Sequence, residues 1–399
     1  IARPRGKPEV AEIVASSCER ADPHLTWALL PPSLRTVPLR QMIGQLLVIS
    51  YSDTTPRASG VEAVRQAIRS SRVGGVLTFR HNISSGDNIR AINEAFRDAH
   101  PVLPAIVAVD QEGGAVMRVK PSEGGPDTPS AKRVADGTLE EARTAYTDMA
   151  RALADLGFTV NFGPVVDLEV NPKNPVIARF GRAYSASAEE VVKFAQAFID
   201  AHSAAGLGTA LKHFPGHGSS TADSHEGAID LSATWSHEEL IPFRELIDSG
   251  SADMVMIGHL KLEGVTGPDN LPASLSPKAI DGVLREALCF DGVVVSDDLA
   301  MDAVSNTWGA VEATRLMVEA GGDMALLSIP AGEGFALIDE ITDALVAEAE
   351  RSPEFLQKIK AAYARIVHFK LDLSELTEPR SDAAVPTELA DAAGAVRTK

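Results

Sequence analysis

The feature that most constrains the fold of this chain is a regular alternation of short apolar runs with longer segments of helical periodicity. The apolar runs are residues 45–50, 75–79, 105–110, 159–166, 209–213, 254–260, 292–296 and 324–328. The helical segments between them are residues 61–70, 87–100, 139–156, 188–205, 236–249, 277–288 and 308–320, and two more follow at 332–349 and 353–369. Near-continuous apolar runs are typical of strands buried on both faces, and their alternation with helices predicts a parallel sheet.

Eight such units predict an α/β protein with a closed (β/α)8 TIM barrel. A doubly wound open sheet is the alternative, but no G-x-G-x-x-G motif opens the first unit, so its dinucleotide-binding version is disfavoured. We expect one catalytic barrel over residues 39–370. A polar, proline-rich arm, with one helix around 8–17, would precede it at 1–38, and an acidic, alanine-rich tail would follow at 371–399.

Composition excludes several classes of function. The 399 residues are 45% hydrophobic and 23% charged, which is ordinary for a globular protein, and the net charge of −18 argues against a nucleic-acid partner. No apolar run reaches the roughly 18–20 residues that a membrane span requires. The two cysteines, Cys18 and Cys289, exclude a disulfide framework and a cysteine-rich metal site. One bridge between them is open, but two free thiols are favoured.

Ionisable residues follow five of the eight predicted strands, at the end where barrel enzymes place their active sites. They are Asp110, Glu112 and Arg118 after the third strand, Asp167, Arg179 and Arg182 after the fourth, Lys212 and His213 at the fifth, His259 at the sixth, and Asp297 and Asp298 at the seventh. Each has a structural alternative: Asp298 or Asp302 could cap the next helix, and His259 could be a hydrogen-bonded structural histidine. Two adjacent acids at the end of an apolar strand need a cleft that solvates them, which favours a site.

The fifth strand runs into residues 212–218, KHFPGHG, and 219–227, SSTADSHEG. Glycines allow sharp turns and close approach to a ligand, and histidines carry protons near neutral pH. Asp223 stands two residues before His225 and could orient its imidazole. We expect residues 215–226 to form a loop that moves without ligand, because small polar residues flank the Asp–His pair.

Such a set suits glycoside hydrolysis, in which a carboxylate attacks the anomeric carbon and a second group protonates the leaving oxygen. Four motifs together resemble the family 3 glycoside hydrolases, specifically their β-N-acetylglucosaminidase branch. The motifs are residues 212–218 (KHFPGHG), 223–225 (DSH), 110–114 (DQEGG) with Arg118, and 296–301 (SDDLAM), and the similarity covers about residues 39–369.

The resemblance implies a retaining exo-β-N-acetylglucosaminidase that uses no cofactor and no metal. Asp297 matches the nucleophile, His225 the acid/base and Asp223 its partner. The residues that match the binding site for a terminal N-acetylglucosamine are Asp110, Arg118, Arg182, Lys212 and His213. Arg182 is followed by Ala183 and Tyr184 and matches the family's arginine motif best, but it requires a small insertion, and Arg179 competes for the role.

Other interpretations remain open at this level. Histidines and aspartates could bind a metal in a barrel hydrolase, although no metal motif is present. The same barrel could bind glycans without catalysis, or it could be a phosphorylase, since a neutral base repels phosphate less than a carboxylate does. Peptidoglycan and chitin fragments are both candidate substrates, and the sequence does not determine the oligomeric state. The missing start methionine slightly favours an extracytoplasmic protein over a cytoplasmic one.

Overall fold

The computed structural model describes residues 23–100, 102–222 and 229–377, and within these the predicted barrel is present. Its eight parallel strands are β1 (Leu47–Ser50), β2 (Gly75–Thr78), β3 (Ile106–Val109), β4 (Val160–Asn161), β5 (Gly208–Phe214), β6 (Met254–Ile257), β7 (Val293–Ser296) and β8 (Ala325–Pro330).

From β1 to β7, each strand pairs in parallel with the next strand in the chain, and β1 also pairs with β8. The remaining gap, between β7 and β8, is bridged where Val295 pairs with Met324 and the Ser296 N–H donates to the Met324 carbonyl at 2.9 Å. The sheet is therefore nearly closed into a barrel, and the prediction of a (β/α)8 fold is confirmed.

Helices surround the strands. They are Pro23–Leu29, Pro32–Arg35, Leu39–Gln45, Ser59–Arg69, Gly86–Arg97, Ala131–Ala135, Leu139–Asp155, Ala188–Ala204, Ile241–Asp248, Glu263–Thr266, Lys278–Ala287 (a π-helix), Asp302–Glu319, Ala331–Arg351 and Pro353–Thr377. Local signals set several boundaries. At Leu139–Asp155, the Thr138 hydroxyl accepts from the Glu141 N–H and the Glu141 carboxylate accepts from the Thr138 N–H, which is a capping box.

Two predicted elements differ from the observed ones for identifiable reasons. The fourth strand is predicted over 159–166 but is regular only at Val160–Asn161. Beyond it Pro164 has no N–H for the ladder, and irregular pairing with β5 continues to a bridge between Val165 and Lys212. The helix expected from 308 begins at Asp302 and is interrupted at Gly309, whose φ of 65° is a conformation that favours glycine.

The structure describes part of the predicted N-terminal arm, residues 23–38, and part of the predicted tail, residues 371–377. Helix Pro23–Leu29 packs on Pro353–Thr377, with the Trp27 and Tyr363 rings 6.2 Å apart, and Leu34 is buried in the main core. The helix expected around 8–17 lies outside the described residues, and the division into arm, barrel and tail stays a prediction. Within the described ranges, no helix is long and apolar enough to cross a bilayer.

The preference for free thiols is wrong for Cys289, which is disulfide-bonded. No described cysteine is free, and Cys18, the only other cysteine in the sequence, lies outside the described residues.

Candidate active site

A buried ionic cluster joins the carboxyl ends of β3, β4 and β5. Lys212 Nζ lies 2.8 Å from Asp110 Oδ1 and 2.7 Å from Glu112 Oε1. Arg182 binds Glu112 through both carboxylate oxygens, each at 2.8 Å. Arg118 Nη2 lies 3.6 Å from the second oxygen of Asp110. Four of the five predicted sugar-binding residues therefore meet in one place.

A buried glutamine sets the geometry of this cluster. Gln111 Oε1 accepts hydrogen bonds from the N–H groups of Arg118 and Val119, which holds the short antiparallel ribbon of Gln111–Gly113 and Val116–Met117. The Gln111 backbone exchanges two 2.9 Å hydrogen bonds with the side chain of Asn161 on β4. These contacts place Glu112 and Arg118 over the strand ends.

The cluster keeps its charges although it is buried. Burial opposes the charge of Glu112, but Arg182 and Lys212 outweigh it and hold the pKa of the carboxyl far below its usual range. Burial likewise opposes the charge of Lys212, but Asp110 and Glu112 raise its pKa above the usual value. Lys212 is only 2% exposed, whereas Asp110 is 16% exposed and is the carboxylate that a ligand can reach.

His213 completes the set of predicted binding residues. Its Nδ1 lies 2.8 Å from Asp167 Oδ2, and its backbone N–H donates to Asp167 Oδ1 at 3.1 Å. We assign the proton to Nδ1, because Nε2 faces Arg182 Nη2 at 3.4 Å and accepts there. Burial would raise the pKa of Asp167, but His213 and His217 outweigh it and lower it.

Asp167 also anchors the loop after β5. It accepts from the His217 N–H at 2.8 Å. Burial lowers the pKa of His217 to about 4 despite the nearby Asp167 charge, so its imidazole is neutral near pH 7. Sequence reasoning placed Asp167 and Glu112 at strand ends but gave them no role; in the structure they are the buried anions that orient the basic residues.

The two adjacent acids after β7 have different environments. Asp298 Oδ1 accepts from the N–H groups of Ala300 and Ser328, both at 3.0 Å, and burial raises the pKa of this carboxyl. Asp297 Oδ1 accepts from the Asp298 N–H at 2.8 Å. Asp298 thus ties the turn to β8; it does not cap the next helix, whose N-cap is Met301 and, among the described residues, has no side-chain cap.

His259, after β6, is a structural histidine. It is buried, and its ring nitrogens lie 2.8 Å from Ser274 Oγ and 2.9 Å from the Asp298 carbonyl oxygen. It therefore holds the turn that carries the two acids.

Strand register places Asp297 at the same end of the barrel as the ionic cluster. Ile257 of β6 pairs with Phe214 of β5 on one side and with Ser296 of β7 on the other. The Asp297 N–H donates to the Ile257 carbonyl at 2.9 Å. Lys212 and His213 precede Phe214 in β5, so the cluster and Asp297 lie at the same end of the barrel on strands separated only by β6.

Of the two competing arginines, only Arg182 joins the cluster. Its side chain is 11% exposed, whereas Arg179 is exposed and lies over the ring of Phe180, 5.4 Å from the ring centroid. Both side chains stand on a loop anchored by buried Asn174, whose amide donates to the carbonyls of His217 and Gly218.

The remaining predicted catalytic residues, Asp223 and His225, lie outside the described residues, as do residues 224 and 226 of the loop expected to move. Among the residues that the structure describes, no group of three or more His, Cys, Asp and Glu side chains could hold a metal ion.

Sequence reasoning missed Glu239 and Trp235, which contact the loop after β5 from a later segment. Glu239 Oε2 accepts from the N–H groups of Gly218 and Ser219 at 2.9 and 3.3 Å, and Trp235 Nε1 donates to the Pro215 carbonyl at 3.0 Å. Burial raises the pKa of Glu239 to about 7. Only spatial proximity reveals them, since 20 or more residues separate each from its partner.

Comparison with known proteins identifies the family of this chain. Residues 38–368 match the family described as the glycosyl hydrolase family 3 N-terminal domain. The chain is 35% identical over 354 residues to beta-hexosaminidase LpqI of Mycobacterium tuberculosis, covering 85% of this chain and 83% of that protein. It is 34% identical over 297 residues to a beta-hexosaminidase of Tolumonas auensis, covering 72% and 84%.

Solved structures give the same result. A glycoside hydrolase family 3 beta-N-acetylglucosaminidase from Paenibacillus superposes with a TM-score of 0.76 and 31% identity, covering 90% of this chain and 68% of that one. M. tuberculosis LpqI superposes with a TM-score of 0.71 and 32% identity, covering 88% and 97%. This chain therefore belongs to family 3 of the glycoside hydrolases.

Proposed function

We propose that this glycoside hydrolase removes terminal, non-reducing β-linked N-acetylglucosamine with retention of configuration. The observation that carries the proposal is the position of Asp297, which lies at the same end of the barrel as Lys212 and His213, with only β6 between the strands that bear them. The names of the relatives, beta-hexosaminidase and beta-N-acetylglucosaminidase, support the same substrate class.

The ionic cluster would bind the sugar. Hydroxyl groups need directional donors and acceptors, and Asp110, Arg118, Lys212 and His213 present them from fixed positions. Asp110 and Arg118 form only a long ion pair, at 3.6 Å, and both side chains are partly exposed. They therefore retain hydrogen-bonding capacity for a ligand. Arg182 would act mainly by holding Glu112 and orienting His213.

Asp297 would be the nucleophile. Its carboxylate oxygen attacks the anomeric carbon as the bond to the leaving oxygen breaks, and a covalent glycosyl-enzyme forms. Asp298 is unsuited to this role, because the same oxygen already accepts two backbone N–H groups. The seventh strand thus supplies one reactive acid and one structural acid.

His225 would transfer the protons, and Asp223 would orient its ring, as the motif at 223–225 implies. As an imidazolium, His225 protonates the leaving oxygen. It then removes a proton from the water that attacks the anomeric carbon, which releases Asp297 and gives a β-configured product after two inversions.

Activity on three matched aryl glycosides tests the proposal. We expect turnover of the β-N-acetylglucosaminide to exceed that of the β-glucoside and β-xyloside, and the first-formed sugar, followed by NMR, to be the β-anomer. A preference for the glucoside would overturn the substrate class, and an α-anomer would overturn the mechanism. Sugar 1-phosphate formed in phosphate buffer would show a phosphorylase instead.

A further inference from the structure

Side chains from other parts of the chain form hydrogen bonds with the backbone of the loop that follows β5. Within Pro215–Ser219, Trp235 donates to the carbonyl of Pro215, and Asp167 accepts the N–H of His217. Asn174 donates to two carbonyls of the same stretch, and Glu239 accepts the two N–H groups of Gly218 and Ser219. The backbone here is held by side chains and not by a strand ladder.

Among these supports, Glu239 is the one that accepts N–H groups from two consecutive residues of the loop. Asp167 accepts one and also serves His213. Trp235 makes one hydrogen bond, and Asn174 donates to carbonyl oxygens. Glu239 is 1% exposed, so water cannot substitute for it if the carboxylate is lost. The two N–H groups would then be buried without an acceptor.

The Glu239 side chain and the loop are in close contact. Gly216 has a φ of 116°, and a Cβ at that position would lie 2.6 Å from Glu239 Cβ. Because Gly216 has no side chain, the loop comes close enough to Glu239 for the N–H groups of Gly218 and Ser219 to reach its Oε2. The remaining oxygen, Oε1, is buried without a hydrogen-bond partner in the described structure.

We propose that Glu239 is a positioning residue for proton transfer: it fixes Gly218 and Ser219, and through them the direction in which the chain leaves toward Asp223 and His225. This inference rests on the proposed function, since it assumes that His225 protonates the leaving group. Glu239 itself contacts backbone groups in the structure, and its effect on the reaction is indirect.

Two nearly isosteric, uncharged replacements isolate the hydrogen bonds. Glu239→Gln keeps an oxygen that can accept both N–H groups, whereas Glu239→Met fills the same space and accepts neither. Glu238, the exposed neighbour in the chain, provides matched controls as Glu238→Gln and Glu238→Met. The readout is kcat/KM for an aryl β-N-acetylglucosaminide with a poor leaving group and for one with an activated leaving group such as dinitrophenolate.

We expect Glu239→Met to lower kcat/KM by about 10²-fold for the poor leaving group, the lower end of what a positioned proton donor contributes. The activated substrate needs little protonation, so its kcat/KM should fall by no more than about threefold. Glu239→Gln should restore most of the lost rate, and both Glu238 variants should match the wild type.

Equal losses for the two leaving groups, or a Glu239→Met variant as active as Glu239→Gln, would overturn the inference. If Glu239→Met does not fold, Glu239→Asp withdraws the carboxylate by one methylene and should show the same selective loss.

The His225→Ala variant distinguishes failure of the proposed function from failure of this inference alone. If it shows no leaving-group selectivity, the proposed function fails and this inference with it; if it does and the Glu239 variants do not, this inference alone fails.

Discussion

Buried ion pairs stand at both ends of the barrel, and they are built differently. At the amino end, just before β8, Asp323 is fully buried; Arg285 binds one of its oxygens at 2.6 Å, and Arg365 binds the other at 2.7 and 2.9 Å. At the carboxyl end, Asp110 remains partly exposed and shares a looser 3.6 Å contact with Arg118. Both oxygens of Asp323 are occupied by protein donors, whereas the cluster at the carboxyl end keeps capacity for a ligand.

Burial of charge therefore does not by itself identify a functional site. Burial lowers the pKa of Arg285 to about 10, with Arg365 adding to the effect and Asp323 opposing it, yet this group lies opposite the catalytic end. Barrel enzymes concentrate function at the carboxyl end and stability at the amino end. Variants at the two ends should therefore separate activity from stability.

The largest expected effect is on activity at the carboxyl end. Asp297→Ala should reduce kcat by at least about 10⁴-fold, since no covalent intermediate can form. Asp298→Ala should leave measurable turnover but lower the free energy of unfolding by about 1–3 kcal/mol, because two backbone N–H groups lose their acceptor.

Rescue by added azide tests which of the two acids is the nucleophile. Azide should enter the cavity left in Asp297→Ala and give the α-glycosyl azide by a single inversion, with no such product from Asp298→Ala. Rescue of Asp298→Ala in place of Asp297→Ala would exchange the roles of the two acids.

At the amino end we expect a large effect on stability alone. Asp323→Asn leaves Arg285 and Arg365 without their anion and should lower the free energy of unfolding by about 3–5 kcal/mol. The kcat/KM of the folded fraction should stay within about twofold, since the cluster lies at the opposite end from the chemistry. Urea denaturation and steady-state kinetics on the same preparation measure both quantities.

An exposed ion pair serves as the control for this variant. Glu312 pairs with Arg315 on a helix surface, and Glu312→Gln should change the unfolding free energy by less than about 1 kcal/mol. A loss of activity in Asp323→Asn without a loss of stability would contradict the division between the two ends.

Glu239 is a third kind of buried charge, held by backbone donors. Burial raises the pKa of its carboxyl from 4.5 to about 7, so between these values the folded state binds a proton that the unfolded state releases. The stabilising contribution is therefore fully present below pH 4.5 and is lost as pH rises to about 7. At 1.36 kcal/mol per pKa unit, the loss amounts to about 3 kcal/mol.

Denaturation of wild type and Glu239→Gln across pH 4.5–8 measures this contribution. The stability of the wild type relative to Glu239→Gln should fall as pH rises across this range. A difference that stays constant would mean that Glu239 titrates at its ordinary pKa.

The smallest expected effect distinguishes the two loop arginines. Lysine cannot bind both oxygens of Glu112, so Arg182→Lys should lower kcat/KM by about tenfold or more, mainly through KM. Arg179→Lys, at an exposed position, should stay within about twofold of the wild type. Equal losses would mean that the loop acts as a whole and not through Arg182.

Sequence reasoning reached the barrel because apolar runs and helical segments alternate, and it reached the strand-end residues because parallel strands bring their carboxyl ends together. It favoured Asp297 over Asp298 only through the match to the family motif, since the geometry that distinguishes them depends on which oxygen meets the N–H groups of Ala300 and Ser328. It could not find Glu239, because that residue sits in an unremarkable helical pattern and reaches the loop only through folding. Arg182 was favoured over Arg179 by its match to the family motif, and the contact with Glu112 appears only in the structure.

The central claim is that Asp297 forms the covalent glycosyl-enzyme, and trapping that intermediate tests it most directly. A fluorinated slow substrate should inactivate the protein with one label per chain, and mass spectrometry of the digested protein should locate the label on Asp297. A label on Asp298, or turnover without any covalent intermediate, would contradict the account.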